Sequence, residues 1–329
     1  LDHTRRTAAA FRAMGVKKGD HVLSWQPNNR EALLTWFGLN YLGAVYVPVN
    51  VAYKGTLLEH VVKLSDATLM VCHADLLDRL AGIDCGALSD VIVTNGTATL
   101  DGLTCHPADA LQAETGLAGI PEVIEPWDTQ YIIFTSGTTG PSKAGLSSYV
   151  QGHAMGPLAH DYTEGTDHTL VNLPLFHVGG TVFFNIALGT GSSCYLDTHF
   201  KTDEFWDTVR REKITNTLLL GAIITFLNAR PESDDDTDHS LEKAICVPWN
   251  DDARRLGKRH GITLRTTFNM TEISSPMVSE PYPPENGTCG VLRAGVEARV
   301  VDENDCELPP GVAGELIVRT DTVWGLNHG

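Results

Sequence analysis

The chain of 329 residues lacks any apolar run long enough, and free enough of charge, to span a membrane as a helix. Its first residues, LDHTRRTAAAFRAMG, mix charge with alanine and lack the apolar core of a signal peptide. The expectation is a cytoplasmic protein without an integral membrane segment. Positive charge is scarce: 24 Lys and Arg stand against 41 Asp and Glu, a formal net charge of -17. A surface of that sign repels phosphate backbones and anionic lipid heads, so neither nucleic acid nor a lipid surface is expected as a partner. An anionic ligand would need a local positive feature to offset the field. No CxxC pair occurs, and the 7 cysteines are scattered and odd in number. That pattern predicts reduced thiols, with neither a zinc site nor a disulfide framework. No GxGxxG follows the first strand-like segment, which argues against a Rossmann dehydrogenase. There is no internal repeat and no low-complexity tract, and the acidic run ESDDDTD reads as a solvated loop.

A hydrophobic content of 42% with 20% charged residues is that of an ordinary globular protein. The length exceeds what one compact core accommodates. Helical spacing runs from Thr4 to Met14 and stops at GVKKGD, followed by a short strand HVLSW. NREALLTWFGLNYLGA reads as a helix with Asn29 as its cap, then come a strand AVYVPVN, a helix GTLLEHVVKLSD and a strand ATLMVCH. Such alternation predicts an α/β fold with a mostly parallel sheet flanked by helices. Thr94 to Trp127 has weak periodicity and reads as a connection. After Tyr131 the alternation resumes through TDEFWDTVRREKI, TNTLLLGA, DDARRLGKRHG and a strand ITLRTTF. From about Gly287 the pattern turns to antiparallel hairpins. The expected division is a first α/β subdomain at 1–125, a second at 126–286, and the start of a smaller β-rich subdomain at 287–329.

One stretch demands a chemical reason. In YIIFTSGTTGPSKAG, Tyr131 to Phe134 make a buried strand, and Thr135 to Lys143 then carry five hydroxyls, two glycines and one lysine. Glycines let a backbone turn tightly and aim N–H groups at one point; hydroxyls add donors and lysine adds charge. That set suits a polyphosphate. It is not a Walker A loop, because Ser142 precedes Lys143 rather than following it.

TSGTTGPSK resembles the phosphate-loop signature of the adenylate-forming superfamily, which comprises acyl- and aryl-CoA synthetases, peptide-synthetase adenylation domains and luciferase-like enzymes. Other segments agree in order: GVKKGDHV with PNNREALLTWFGLNYLGAVYVPVN, PLFHVGG, FNMTE in place of the family's YGMTE, and GVAGELIVR. The segments FWDTVRR, LLLGA and TEISSPMVSEP are most similar to the crotonobetaine/carnitine-CoA ligase-like acyl-CoA synthetases. The resemblance implies the large N-terminal domain of that fold: two mostly parallel sheets plus a β-rich subdomain, with the C-terminal lid domain absent. It implies ATP-dependent activation of a small carboxylic acid to an acyl-adenylate, then transfer to coenzyme A. Thr135, Ser136, Gly137, Thr138, Thr139, Gly140 and Lys143 would hold the β- and γ-phosphates. Thr271 would donate to the α-phosphate, and Glu272 would help bind Mg²⁺. Phe268 would stack on adenine, beside Asn269, with Val247 and Pro248 as the opposite wall; Trp249 is open between that wall and core packing. His177 would serve the acyl pocket or its gate, with Gly221, Ala222 and Met270 lining the pocket. Many relatives are dimers, so a homodimer is an open expectation.

The chain also departs from the family pattern. Ala144 replaces a usual glycine, Tyr149 falls where a histidine is expected, and Asn269 stands where glycine is usual. The segment carrying the ribose-binding Asp, and the C-terminal domain with its lysine, would follow TVWGLNHG. The 329 residues are therefore expected to bind ATP but to turn over poorly. Two alternatives stay open: an adenylation enzyme that loads a carrier protein, and a non-catalytic nucleotide-binding relative.

Overall fold

A computed structural model of the chain describes residues 1–135, 141–198 and 200–321. By contacts the chain divides into two compact units. The first covers 1–150 and 174–181; the second covers 151–173 and continues from 182 to the end of the described residues.

In the first unit the strands are β1 (His21–Trp25), β2 (Val45–Pro48), β3 (Leu69–His73), β4 (Asp90–Thr94), β5 (Thr104–His106), β6 (Thr129–Thr135) and β7 (Lys143–Ser148). They form one seven-stranded sheet in the order β5-β4-β3-β1-β2-β6-β7. All neighbours are parallel except β7, which runs antiparallel to β6. The central strands are buried almost throughout, which is why they read as continuous apolar runs. Helices α1 (Asp2–Ala13), α2 (Arg30–Leu42), α3 (Thr56–Leu64) and the single turn α4 (Ala74–Leu77) connect or flank them. As the sequence predicts, the Asn29 side chain accepts the Ala32 N–H at 2.8 Å and starts α2. Gly38 lets α2 approach α1 closely, because a Cβ there would meet Thr7 Cγ2 at 2.6 Å. Trp25, Trp36 and Tyr46 are fully buried in this unit. The expected connection from Thr94 to Trp127 contains one further strand, β5, at the sheet edge. Three residues, none fully buried, are too few to show an alternating pattern.

The second unit is built on a five-stranded parallel sheet of β8 (His168–Val171), β9 (Ser193–Leu196), β10 (Asn216–Leu220), β11 (Lys243–Val247) and β12 (Thr263–Arg265), in the order β12-β11-β10-β8-β9. The remaining α-helices among the described residues are α5 (Tyr149–Met155), α6 (Val178–Thr190), α7 (Phe205–Glu212), α8 (Gly221–Asn228) and α9 (Asp251–His260). Asn250 caps α9 by accepting the Ala253 N–H at 3.0 Å, and Gly261 ends it at a φ of 67°. Two small antiparallel sheets follow. β13 (Thr267–Met270), β14 (Ser274–Val278) and β15 (Val291–Leu292) make one; β16 (Val296–Val301) and β17 (Glu315–Thr320) make the other. The single strand expected over ITLRTTF is two strands in different sheets. The break falls at Thr266, whose N–H donates to Ser279 Oγ and whose carbonyl accepts the Ser279 N–H, both at 2.9 Å. The α/β expectation of two mostly parallel sheets flanked by helices, with a smaller β-rich part, is met.

No helix among the described residues is long and apolar enough to cross a membrane. All seven cysteines are free, as their spacing suggests.

The second unit also hides a titratable group. His160 is 2% exposed. Burial, joined by the charges of Arg293 and Arg265, pushes its pKa from 6.5 down to about 3. Between those values the unfolded chain binds more protons than the folded one, so this contribution is complete above pH 6.5 and is lost as pH falls towards 3. Denaturant titration should show about 2 kcal/mol lost between pH 6.5 and 5 at this residue. His160→Asn should flatten that slope; an unchanged slope would remove His160 as its source.

Candidate functional site

In the first unit the suspected phosphate loop is an excursion between two paired strands. β6 runs outward to Thr135 and β7 returns from Lys143, with Thr135 opposite Lys143 and Phe134 opposite Ala144. The hairpin pairing therefore sets the lysine at the loop's mouth, across from its first hydroxyl. Lys143 is exposed and Thr135 half-buried. Ser136, Gly137, Thr138, Thr139 and Gly140 lie outside the described residues. The return arm is held from α3 and the segment before it. His60 Nε2 donates to the Ser142 carbonyl at 2.8 Å, and the Tyr53 hydroxyl lies 3.4 Å from Ser142 Oγ. These two tethers are 82 and 89 residues distant in sequence, and no local pattern signals them.

Two of the departures have structural roles here. Ala144 is a β7 residue packed against the core of the first unit. Tyr149 opens α5, and its hydroxyl donates to the Asn40 carbonyl at 3.2 Å. Burial pushes its phenol pKa up, so Tyr149 is neutral and committed to packing.

His177 sits just before α6. Its Nδ1 accepts the Gly179 N–H at 3.0 Å, which leaves Nε2 as the protonated nitrogen of the neutral ring. Surrounding protein holds its pKa below the ordinary histidine value, although part of the residue is open to solvent.

In the second unit Gly221, Ala222, Val247 and Pro248 lie at the carboxyl ends of two neighbouring parallel strands, where such sheets generally place ligands. Leu220 at the end of β10 pairs with Val247 at the end of β11. Gly221 follows the first and Pro248 the second. A Cβ on Gly221 would lie 3.2 Å from Pro248 Cδ, so close packing keeps this position small. Ala222 is exposed. Trp249 is 1% exposed, donates from Nε1 to the Pro283 carbonyl at 2.9 Å and carries Arg254 over its ring at 5.2 Å. Of its two readings, core packing is the one the structure supports.

β13 lies beside β11 and carries Phe268 and Asn269, both half-buried, and the exposed Met270. Its register with β14 shifts between Phe268 and Met270. Thr271 and Glu272 occupy the turn that joins β13 to β14. Thr271 is 7% exposed, and its carbonyl accepts from Gln151 Nε2 at 3.0 Å. Gln151, on α5, positions that turn and was not singled out from sequence; a glutamine inside a short helix carries no distinguishing mark. Glu272 is half-buried, and among the described residues its carboxylate has no hydrogen-bond or ion-pair partner. A free carboxylate in a fixed turn fits a hard cation such as Mg²⁺. Asn269 points Nδ2 at Met155 Sδ, 3.6 Å away, while its Oδ1 is buried without a partner among the described residues.

Comparison with known proteins gives this geometry a family. The profile of the AMP-binding enzyme family matches residues 1–325. The crotonobetaine/carnitine–CoA ligase of Salmonella heidelberg (strain SL476) is 24% identical over 328 residues, 97% of this chain and 63% of that protein. The chain thus spans less than two thirds of the length of the curated relatives it matches. The crystal structure of ATP-bound MatB from Rhodopseudomonas palustris superposes with a TM-score of 0.83 at 26% identity, covering 99% of this chain and 64% of that one. The N-terminal domain of FACL13 from Mycobacterium tuberculosis gives a TM-score of 0.85 at 21% identity, covering 99% of this chain and 81% of that one. By the profile match over nearly its whole length, the chain belongs to the AMP-binding enzyme family.

Proposed function

We propose that the protein activates a carboxylic acid with ATP and transfers the acyl group to coenzyme A. The observation that carries this reading is the pairing of Thr135 with Lys143 across β6 and β7, at the base of TSGTTGPSK. A carboxylate oxygen attacks the α-phosphorus of ATP, the bond to the β-phosphate oxygen breaks, and pyrophosphate leaves with the electron pair. The thiol of coenzyme A, giving up its proton, then displaces AMP. In the first step a carboxylate approaches a triphosphate, so positioned positive charge is the main requirement. Lys143 and Thr135 would supply charge and a donor at the phosphates. Thr271, fixed through its own carbonyl by Gln151, would donate to the α-phosphate. Phe268 would offer a face to adenine, with Val247 and Pro248 opposite. Glu272 would hold Mg²⁺, whose charge shields the phosphates. No general base is needed, since the attacking acid is already ionised at neutral pH. His177, Gly221, Ala222 and Met270 would shape the acyl end of the site.

The similarity to a crotonobetaine/carnitine–CoA ligase supports including betaine-like acids among candidate substrates. The test is acid-dependent ATP–pyrophosphate exchange by the protein as its full gene encodes it. The panel holds short, long, aromatic and betaine-like acids. Exchange with a subset is the expected result and names the substrate class. A second reading, a non-catalytic relative, is favoured by one feature: Asn269 puts an unpaired buried carbonyl oxygen where the family has glycine. ATP binding without exchange for any acid would select it.

A further inference from the structure

The second unit contains a cavity of about 430 Å³, and none of the residues lining it is assigned to the site above. Its size is that of a metabolite pocket rather than a water site. Two guanidiniums border it. Arg265 ends β12 and lies with Cζ 4.2 Å over the ring of Tyr162. Arg293 stands between β15 and β16 and donates from Nε to the Ser275 carbonyl. Both are half-buried, and among the described residues neither has a carboxylate within 4.0 Å. By contrast Lys243, on the strand next to Arg265, is paired with Asp167 at 2.9 Å. Burial pulls the Arg293 pKa below the ordinary arginine value, and the charge of Asp161 offsets this only in part.

The other groups around the cavity limit what could enter. His160 and Tyr162, 3.0 Å apart through Nδ1 and the hydroxyl, add no charge. His160 is held neutral, and burial pushes the Tyr162 phenol up. Asp161 and Glu280 are exposed lining residues, and their charge disfavours a multiply charged anion. Ala154, Leu158, Pro276 and Val278 supply an apolar wall. Two half-buried guanidiniums with no carboxylate within 4.0 Å among the described residues, an apolar wall and two exposed acidic residues together favour a singly charged, amphipathic anion.

We propose that this cavity binds a small organic carboxylate, with Arg265 and Arg293 as its charge partners and the Ala154–Pro276 side holding its apolar body. The probe is butyrate, with inorganic phosphate as the second arm. Phenylglyoxal modification of the unaltered protein is followed by peptide mass spectrometry. Butyrate should slow modification of Arg265 and Arg293 by about tenfold and leave the exposed Arg12 unaffected. In Arg265→Gln, protection of Arg293 should fall to about twofold or less, since one ligand would serve both. Equal rates with and without butyrate would overturn the proposal. So would protection by phosphate alone, or full protection of Arg293 in the Arg265→Gln variant. The readout is local to these two arginines, so it does not depend on whether butyrate also enters the acyl site.

Discussion

Replacing Lys143 with alanine is expected to slow acid-dependent ATP–pyrophosphate exchange by about 10²–10³-fold, the range seen when one pre-positioned partner of developing charge is removed. Three features set this expectation. The protein carries a net charge of -17, so a triphosphate reaches it against the overall field and depends on local cations. Strand pairing with Thr135 fixes the backbone of Lys143 at the loop mouth, so only its side chain remains to be ordered when ATP arrives. It is also exposed, so its removal should leave the melting temperature unchanged and keep the effect kinetic. Lys143→Arg should recover part of the rate, since charge returns but a planar fork replaces a compact ammonium. The comparison is of kcat/KM for ATP at saturating acid. A loss below about tenfold in Lys143→Ala would mean that the hairpin does not place this lysine on the nucleotide.

How much of this was legible beforehand depends on whether the cause is local. Asn29 and the apolar run behind it specify the start of α2 by themselves, because a cap acts over three residues. HVLSW and LMVCH show as strands because buried parallel strands are apolar throughout. The hairpin base after β6 is seen with Thr135 opposite Lys143, while residues 136–140 lie outside the described residues. Its tethers were not legible: His60 and Tyr53 reach Ser142 only once α3 and β7 are in place. The end of β12 was hidden for a similar reason. Nothing within TTF marks a change of sheet; the change is enforced by Ser279, thirteen residues on. Trp249 shows the limit for single residues. A tryptophan beside a strand end can face a ligand or the core, and only the position of the Pro283 carbonyl decides. Gln151 was missed altogether, because its task is to hold a backbone carbonyl, and a backbone carbonyl leaves no trace in a sequence.

Glu272 should show the second large effect, and its surroundings make the test clean. Glu272→Gln is expected to lower kcat/KM for ATP by about 10²–10³-fold, since a hard divalent cation loses a charged oxygen ligand and gains a neutral one. Raising Mg²⁺ should restore part of that loss, because weakened metal affinity is countered by mass action. The same titration should do nothing for Lys143→Ala, whose defect lies in charge at the phosphates. Folding should be untouched, since among the described residues no donor relies on the Glu272 carboxylate and its loss strands no buried partner. Thr271 offers no such separation. It is buried and its carbonyl is engaged by Gln151, so changes there would mix a turn defect with a chemical one. A Glu272→Gln protein with wild-type kinetics across the Mg²⁺ range would mean that the turn between β13 and β14 presents its carboxylate to solvent alone. The metal would then have to be sought among other oxygen donors.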